Sequence, residues 1–205
     1  NVAGGPVVRG ANFTINGAGD STHIADYVLG NLTVTATVSG HTVTIEDTLE
    51  GNLTFNGGRE AGLRNDGALF KSALLGNLTV SSSTDTLSLR MVEDIPLMIT
   101  GSIDNNGDVT AVDTTSQFRF VGSGVQTLSS NVNSRKFGAI SVNKDGGSLT
   151  ITDNIELAAG GDYPTDKDTA FAIHAGDVIA TGVNITVSGA GAHTHIEHGS
   201  GATLT

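Results

Sequence analysis

The phrase LGNLTV occurs at residues 29–34 and again, letter for letter, at 75–80, and the shorter form GNLTF occupies residues 51–55. Each copy alternates apolar and polar side chains after a Gly-Asn pair, which is the period of a β-strand with one buried face. We predict that Leu32 and Val34 face the core and that Thr33 and Thr35 line the other side. A strand phrase that recurs along a chain indicates stacked copies of one β unit.

The same alternation holds at residues 52–55 of the GNLTF copy and recurs in seven further segments, at residues 41–46, 86–91, 117–121, 139–142, 148–152, 170–174 and 184–189. Asn, Asp and Gly, which favour tight turns, cluster between strands at residues 65–67, 104–108 and 144–147. Helical periodicity is confined to residues 67–75 and, more weakly, 23–29. Pro96 indicates a strand that begins there or lies at a sheet edge, because proline cannot donate to a central ladder.

These patterns predict an all-β fold. We expect an elongated β-solenoid of the parallel β-helix type, built from degenerate repeats, and an antiparallel β-sandwich is the alternative. Self-alignment predicts a repetitive domain over residues 1–160, with three repeats at about 12–56, 55–115 and 117–160, followed by a terminal β subdomain or cap over 161–205. The aligned valines are 46 residues apart from Val34 to Val80 and 62 apart from Val80 to Val142.

The net charge of −11 makes nucleic acid an unfavourable partner, because binding phosphates requires clustered Lys and Arg. No apolar run approaches the roughly 18 residues of a membrane-spanning helix, so direct membrane insertion is not expected. The chain begins at Asn1 rather than Met, as signal-peptide removal would leave it. We therefore expect an extracellular or cell-surface location.

The segment HTHIEH at residues 193–198 is the sharpest candidate metal site. On a strand, His193, His195 and Glu197 would share one face, with His198 beside them, and two imidazoles with a carboxylate suit a surface-bound transition metal such as zinc or copper. The alternative is an exposed strand or tail that binds no metal.

Two acidic loops are candidate calcium-binding sites. Asp162, Asp166 and Asp168 lie close together in DYPTDKD, where three neighbouring carboxylates repel one another unless they are solvated or neutralised. DNNGD at residues 104–108 also offers oxygen ligands, but its Asn-Gly pair favours a turn.

Asn-X-Ser/Thr sequons make five asparagines candidates for glycosylation in a secreted protein. The five are Asn12, Asn31, Asn52, Asn77 and Asn184. In the three GNLT copies, an alternative explanation is that Gly-Asn begins a strand whose Thr lines the outer face.

Four sequence phrases resemble the degenerate repeats of β-solenoid cell-surface proteins. They are FNGG (55–58), FVGSGVQTL (120–128), GNLTV (30–34 and 76–80) and DGGSLTITDNIEL (145–157). The similarity is to the filamentous-haemagglutinin and autotransporter-passenger type, over roughly residues 11–160. The resemblance implies a secreted, elongated, non-catalytic structural or adhesive body.

We therefore expect a secreted structural protein that self-assembles into a sheath, layer or filament through its sheet edges, with copies of itself as partners. One alternative is an adhesin segment that binds a glycan or a cell-surface protein. Another is a β-helix polysaccharide enzyme, which the absence of Trp and of nucleophile motifs disfavours, so we predict no catalytic activity.

Overall fold

The computed structural model describes residues 8–9, 12–17, 21–24, 28–36, 40–45, 48–56, 60–65, 73–74, 76–81, 86–90, 96–111, 117–130, 136–157, 161–163, 166–188, 193–196 and 201–205. Within these ranges every helical or extended element is a β-strand. The strands stack in parallel as a β-solenoid, which confirms the predicted fold and not the antiparallel sandwich.

Pairing groups the strands into a 17-stranded sheet and an eight-stranded sheet. The larger sheet consists of two parallel stacks, here named sheets I and II, which two long strands join at the corner between them, and the smaller sheet is named sheet III. Sheet I contains β1 (Val8–Arg9), β4 (Val28–Leu29), β7 (Thr48–Glu50), β10 (Ala73–Leu74), β13 (Leu97–Ile99), β16 (Gln117–Val121), the first part of β19 (Ala139–Ile151), the first part of β22 (Asp166–Ile179) and β24 (His193–Ile196).

Sheet II contains β2 (Phe13–Gly17), β5 (Leu32–Ala36), β8 (Leu53–Asn56), β11 (Leu78–Val80), β14 (Ile103–Asn105), β17 (Gln126–Ser130), the later parts of β19 and β22, and β25 (Thr203–Leu204). Sheet III contains β3 (Ser21–Ile24), β6 (His41–Ile45), β9 (Glu60–Asn65), β12 (Thr86–Arg90), β15 (Asp108–Ala111), β18 (Lys136–Phe137), β20 (Ile155–Leu157) and β23 (Ile185–Val187). The described strands thus form six coils of three strands, two coils in which β19 or β22 serves both sheets I and II, and a ninth coil made of β24 and β25.

The structural repeat is one coil. Paired residues in neighbouring coils are separated by 19 positions (Phe13 and Leu32) to 32 positions (Asn143 and Ala175). The 46-residue spacing spans two coils, because Val34 and Val80 both pair with Phe55.

The alignment of Val142 with Val80 was wrong. Val142 pairs with Phe120 in sheet I, whereas Val80 lies in sheet II. The apolar-polar alternation is the same on all sheets, so it does not tell one sheet from another.

The core fills the space between the three sheets with apolar side chains from alternating strand positions. Leu32 and Val34 are buried while Thr33 and Thr35 are partly exposed, as the alternation predicts. Among the aromatic residues of this core, Phe118 and Phe137 meet edge to face with ring centroids 6.4 Å apart. Burial on this scale is the main source of the solenoid's stability.

The predicted strands are confirmed, most with bounds that differ by a residue or two. The segments 139–142 and 148–152 are instead parts of one strand, Ala139–Ile151, so the turn predicted at 144–147 lies within a strand, and 170–174 lies within the longer strand Asp166–Ile179. The structure places β13 directly after Pro96, so the strand does begin there, although it pairs on both sides and is not an edge. The helical prediction was wrong at residues 73–74, which form β10, and at residues 23–24 and 28–29, which lie in β3 and β4. The rest of 67–75 lies outside the described residues.

One hairpin interrupts the parallel order. β21 (Gly161–Tyr163) pairs antiparallel with the start of β22, which then continues through sheets I and II. Beyond residue 160, the described strands β22 to β25 extend the same stack. The terminal subdomain proposed for 161–205 stays a prediction from the sequence.

Candidate functional site: the asparagine ladder and the outer face of sheet II

Glycines stack at the corner where the chain passes from sheet I to sheet II. A Cβ built on Gly76 would lie 1.6 Å from the carbonyl oxygen of Gly51. On Gly51 it would lie 2.1 Å from the oxygen of Gly30, and on Gly101 2.3 Å from that of Gly76. Only glycine allows this close backbone approach, which explains why the repeated phrase contains Gly at this position.

An asparagine ladder follows these glycines, one rung to a coil. Each Asn carboxamide oxygen accepts a hydrogen bond from the next coil, and in most rungs the donor is a backbone N–H. The bonds are Asn31 Nδ2 to Asn12 Oδ1 (2.9 Å), Asn52 N to Asn31 Oδ1 (2.9 Å), Asn77 N to Asn52 Oδ1 (3.2 Å) and Ser102 N to Asn77 Oδ1 (2.7 Å). The ladder satisfies backbone donors at a corner where regular strand pairing is interrupted.

The repeated GNLT phrase therefore forms the corner between sheet I and sheet II. Strands β5, β8 and β11 begin directly after Asn31, Asn52 and Asn77, which confirms that Gly-Asn starts a strand. The phrase recurs because consecutive coils must turn the same corner and cap the same backbone groups.

We expect Asn77→Ala to lower the free energy of unfolding by about 1 kcal/mol, because the N–H of Ser102 loses its acceptor. The matched control is Asn56→Ala, which truncates an exposed asparagine outside the ladder. Urea unfolding of both variants measures the difference. Equal effects from the two substitutions would contradict a capping role.

Threonines form a second row on the outside of sheet II. Strand register places Thr14, Thr33, Thr54 and Thr79 side by side in four consecutive coils. Asp104 and Ser129 continue the row, and the Ser129 hydroxyl donates to Asp104 Oδ1 at 3.0 Å. The outer surface of sheet II is thus uncharged in its first four coils at these positions, and the row acquires a carboxylate in the fifth.

A buried polar group lies at the same corner, in the coil that follows the glycine stack. Register places Gln126 one coil beyond Gly101, and its fully buried Nε2 donates to the carbonyls of Gly101 (2.7 Å) and Ile99 (3.0 Å). Lys144, which is 3% exposed, donates from Nζ to Gln126 Oε1. The pair connects backbone and side chains of three successive coils, and its position suggests a structural role.

Burial lowers the pKa of the Lys144 ammonium below its ordinary value, while the neighbouring Asp145 carboxylate opposes the shift. In the pH range between the lowered pKa and about 10.4, the unfolded chain binds more protons than the folded protein, so stability should rise with pH. We expect the stability of wild type relative to Lys144→Met to increase toward alkaline pH. Urea titrations across that range measure this, and a difference that falls with pH would contradict it.

The described histidines of the candidate metal motif lie in β24, which pairs with β22. In β24, His193 pairs with Thr169 of β22 and His195 with Ala172, so the strand predicted for this motif is confirmed for residues 193–196. Glu197 and His198 lie outside the described residues. Metal binding at this motif stays a prediction.

The acidic loops have different outcomes. Asp162 belongs to β21, and Asp166 and Asp168 belong to β22, so the backbone here is a hairpin whose calcium binding stays a prediction. DNNGD forms the corner between β14 and β15, and the Gly107 N–H donates to Asn105 Oδ1 at 3.0 Å. That bond supports the turn interpretation.

All five sequon asparagines are exposed. Four of them form the ladder, and the N–H of Asn184 donates to Asn154 Oδ1 (2.7 Å) at a different corner. Their structural role explains the motif, and glycosylation stays a prediction.

The sequence analysis missed the ladder's hydrogen bonds and the Gln126–Lys144 pair. Gly-Asn pairs at matching points of successive coils, 21 and then 25 residues apart from Asn31 to Asn52 to Asn77, were the signal for the ladder. For Gln126, the signal was a polar residue in phase with the buried Leu128.

Within the described ranges, no group of three or more His, Asp or Glu side chains is arranged to hold a metal ion. The same ranges contain no helix of the length and apolarity that crossing a membrane requires. Comparison of the chain with protein-family models, curated proteins and solved structures finds no match in any of the three.

Proposed function

We propose that this protein is an extracellular structural subunit that self-associates through its sheet edges into a filament, layer or sheath. The observation that carries the proposal is that core positions are exposed at both ends of the described stack. Phe13 is 38% exposed although its neighbour in the next coil, Leu32, is 2% exposed. Leu204 is 45% exposed although its partner Val178 is fully buried.

Each end also offers backbone groups for pairing. In β2, the Phe13 N–H donates inward to Asn31, and in β25, the Thr205 N–H donates inward to Val178. Because N–H and C=O groups point alternately to the two sides of a strand, those of Thr14 and Leu204 point away from the described coils. Parallel strands of a second copy, or further coils, can pair with such edges, and we propose the second copy.

The surface composition supports association. Lysine is a common device that blocks edge pairing, and the whole chain has four. A head-to-tail contact between unlike ends generates an open filament where its rotation does not close a ring.

Negative-stain electron microscopy and light scattering over a concentration series test the proposal. Wild-type protein should form elongated assemblies, and Phe13→Lys or Leu204→Lys should shorten or abolish them by placing a charge at the joint. Val125→Lys is the matched control, since Val125 is a 75% exposed apolar residue at a corner within the stack. Wild-type protein that stays monomeric at high concentration would refute self-association.

An adhesin role is the second candidate, and the exposure of Val125 favours it. This side chain projects from the corner between β16 and β17. Exposed apolar groups on loops are frequent contact points for partners. Val125→Ser should then weaken attachment to cells or to immobilised glycans while assembly is unchanged.

A further inference from the structure

The outer surface of sheet II carries an uncharged array over its first four coils, which we name the Asn–Thr face. Its twelve residues occupy three rows and are all exposed or partly exposed. They are Asn12, Asn31, Asn52 and Asn77; Thr14, Thr33, Thr54 and Thr79; and Asn16, Thr35, Asn56 and Ser81. Charged residues make up 15% of the chain, yet none of the twelve positions has one.

The Asn–Thr face is held in a fixed arrangement before it meets a partner. The ladder bonds fix the Asn carboxamides of its first row, and the threonines of the second row are β-branched and restricted at χ1. Few rotamers remain to be lost on binding, which favours association through this face.

The period of the face limits what can match it. Parallel strands repeat every ~4.8 Å along the solenoid axis, and alternate residues on a strand repeat every ~6.6 Å. A second parallel β-stack has the same two spacings by construction. Identical ladders of Asn and of β-branched residues can then interdigitate, as they do between paired sheets.

The lack of charge on the Asn–Thr face also favours a second copy of the chain as the partner. Two copies with a net charge of −11 each repel one another, and the repulsion is smallest where the touching surfaces are uncharged. The Asn–Thr face allows that approach and keeps the described acidic side chains of sheet II, Asp104 and Asp177, outside the contact.

We propose that the Asn–Thr face is a lateral docking surface for the same face of a second copy, in a two-fold arrangement. The proposal rests on the proposed self-association and adds a sideways contact to the end-to-end one. Four strands and three rows span roughly 14 Å by 13 Å between outer Cα atoms, so one contact is smaller than a standard interface. Copies joined end to end would present many such faces in line, which strengthens the lateral contact by avidity.

Cysteine cross-linking tests the contact, because the chain contains no native Cys. Thr54→Cys, near the centre of the face, should give dimers with a bis-maleimide reagent that spans the ~10 Å between packed sheets. Ser188→Cys, exposed on sheet III, is the control and should give several-fold fewer. Dimer yield from Thr54→Cys should rise as the salt concentration goes from about 0.01 M to about 0.15 M, because screening weakens the repulsion.

A charge on the face should block it. Adding Thr33→Lys to Thr54→Cys should lower the yield to that of the control, with circular dichroism reporting that the fold is kept. Equal cross-linking at Thr54→Cys and Ser188→Cys would overturn the proposal. Binding of the wild-type protein to ice or to an insoluble polysaccharide, if Thr54→Lys abolishes it, would also overturn the proposal, because the face would then have a different partner.

The two proposals fail differently. Filaments that form without cross-links at Thr54→Cys would overturn the lateral contact and leave the end-to-end assembly standing. Cross-linked dimers from a protein that never elongates would support the face and refute the filament.

Discussion

Gly76→Ala should be among the most destabilising single substitutions in this chain. The added Cβ would lie 1.6 Å from the carbonyl oxygen of Gly51, so the backbone of at least one coil must shift. A shift at this corner also disturbs the ladder bond between the Asn77 N–H and Asn52. We expect the free energy of unfolding to fall by about 3 kcal/mol or more, at or beyond the upper range for overpacking.

Gly124→Ala is the matched control for this prediction. A Cβ at Gly124 would meet no atom within 4 Å, and the substitution adds the same methyl group to an exposed corner. Its effect should be small, within about 0.5 kcal/mol. Urea unfolding of the two variants in parallel measures the difference, and a Gly76→Ala protein as stable as the control would show that the glycine stack is not required.

Gln126→Leu should destabilise the protein about as much as Gly76→Ala, because it leaves buried polar groups without hydrogen-bond partners. The substitution leaves the buried Lys144 amine without the oxygen it donates to, and removes the donor to the carbonyls of Ile99 and Gly101. Each unsatisfied buried group costs about 1–3 kcal/mol, and a charged one costs more. We expect a loss of about 3 kcal/mol or more in the free energy of unfolding.

A double-mutant cycle separates the pair from simple packing. Lys144→Met removes the charge and keeps a long apolar side chain, so it should restore part of the stability lost in Gln126→Leu. The double variant should then be more stable than Gln126→Leu alone. Additive losses would mean that the two side chains are not coupled, and the interior contact would have no energetic role.

Strand positions could be predicted from the sequence because the alternation of Leu32, Thr33 and Val34 is a local property. The assignment of strands to sheets could not, since Val80 and Val142 have the same local pattern on different sheets. The parallel stacking is decided at the corners. In three consecutive coils a Gly-Asn pair forms the corner that precedes the sheet II strand, at residues 30–31, 51–52 and 76–77.

The candidate sites were less predictable. The sequence identified Asn31, Asn52 and Asn77 as sequons and as strand starts, and their hydrogen bonds depend on contacts between residues 19 to 25 positions apart. A polar residue in phase with buried Leu128 marks Gln126, but nothing in the local sequence indicates that its partner is Lys144, 18 positions away. The structure confirms the predicted strand at residues 193–196, and metal binding by this motif stays a prediction.

The long strands β19 and β22, 13 and 14 residues in length, span the corner between sheets I and II, and the register of their pairing shifts on either side of Asn143. They pair with each other on both sides of that corner, whereas earlier coils use separate short strands there. In a stack where each coil contacts only its neighbours, folding propagates outward from the most stable coil. Order should therefore begin in these two coils and travel toward the amino-terminal end, with amide hydrogens near Val142 and Ile173 the slowest to exchange.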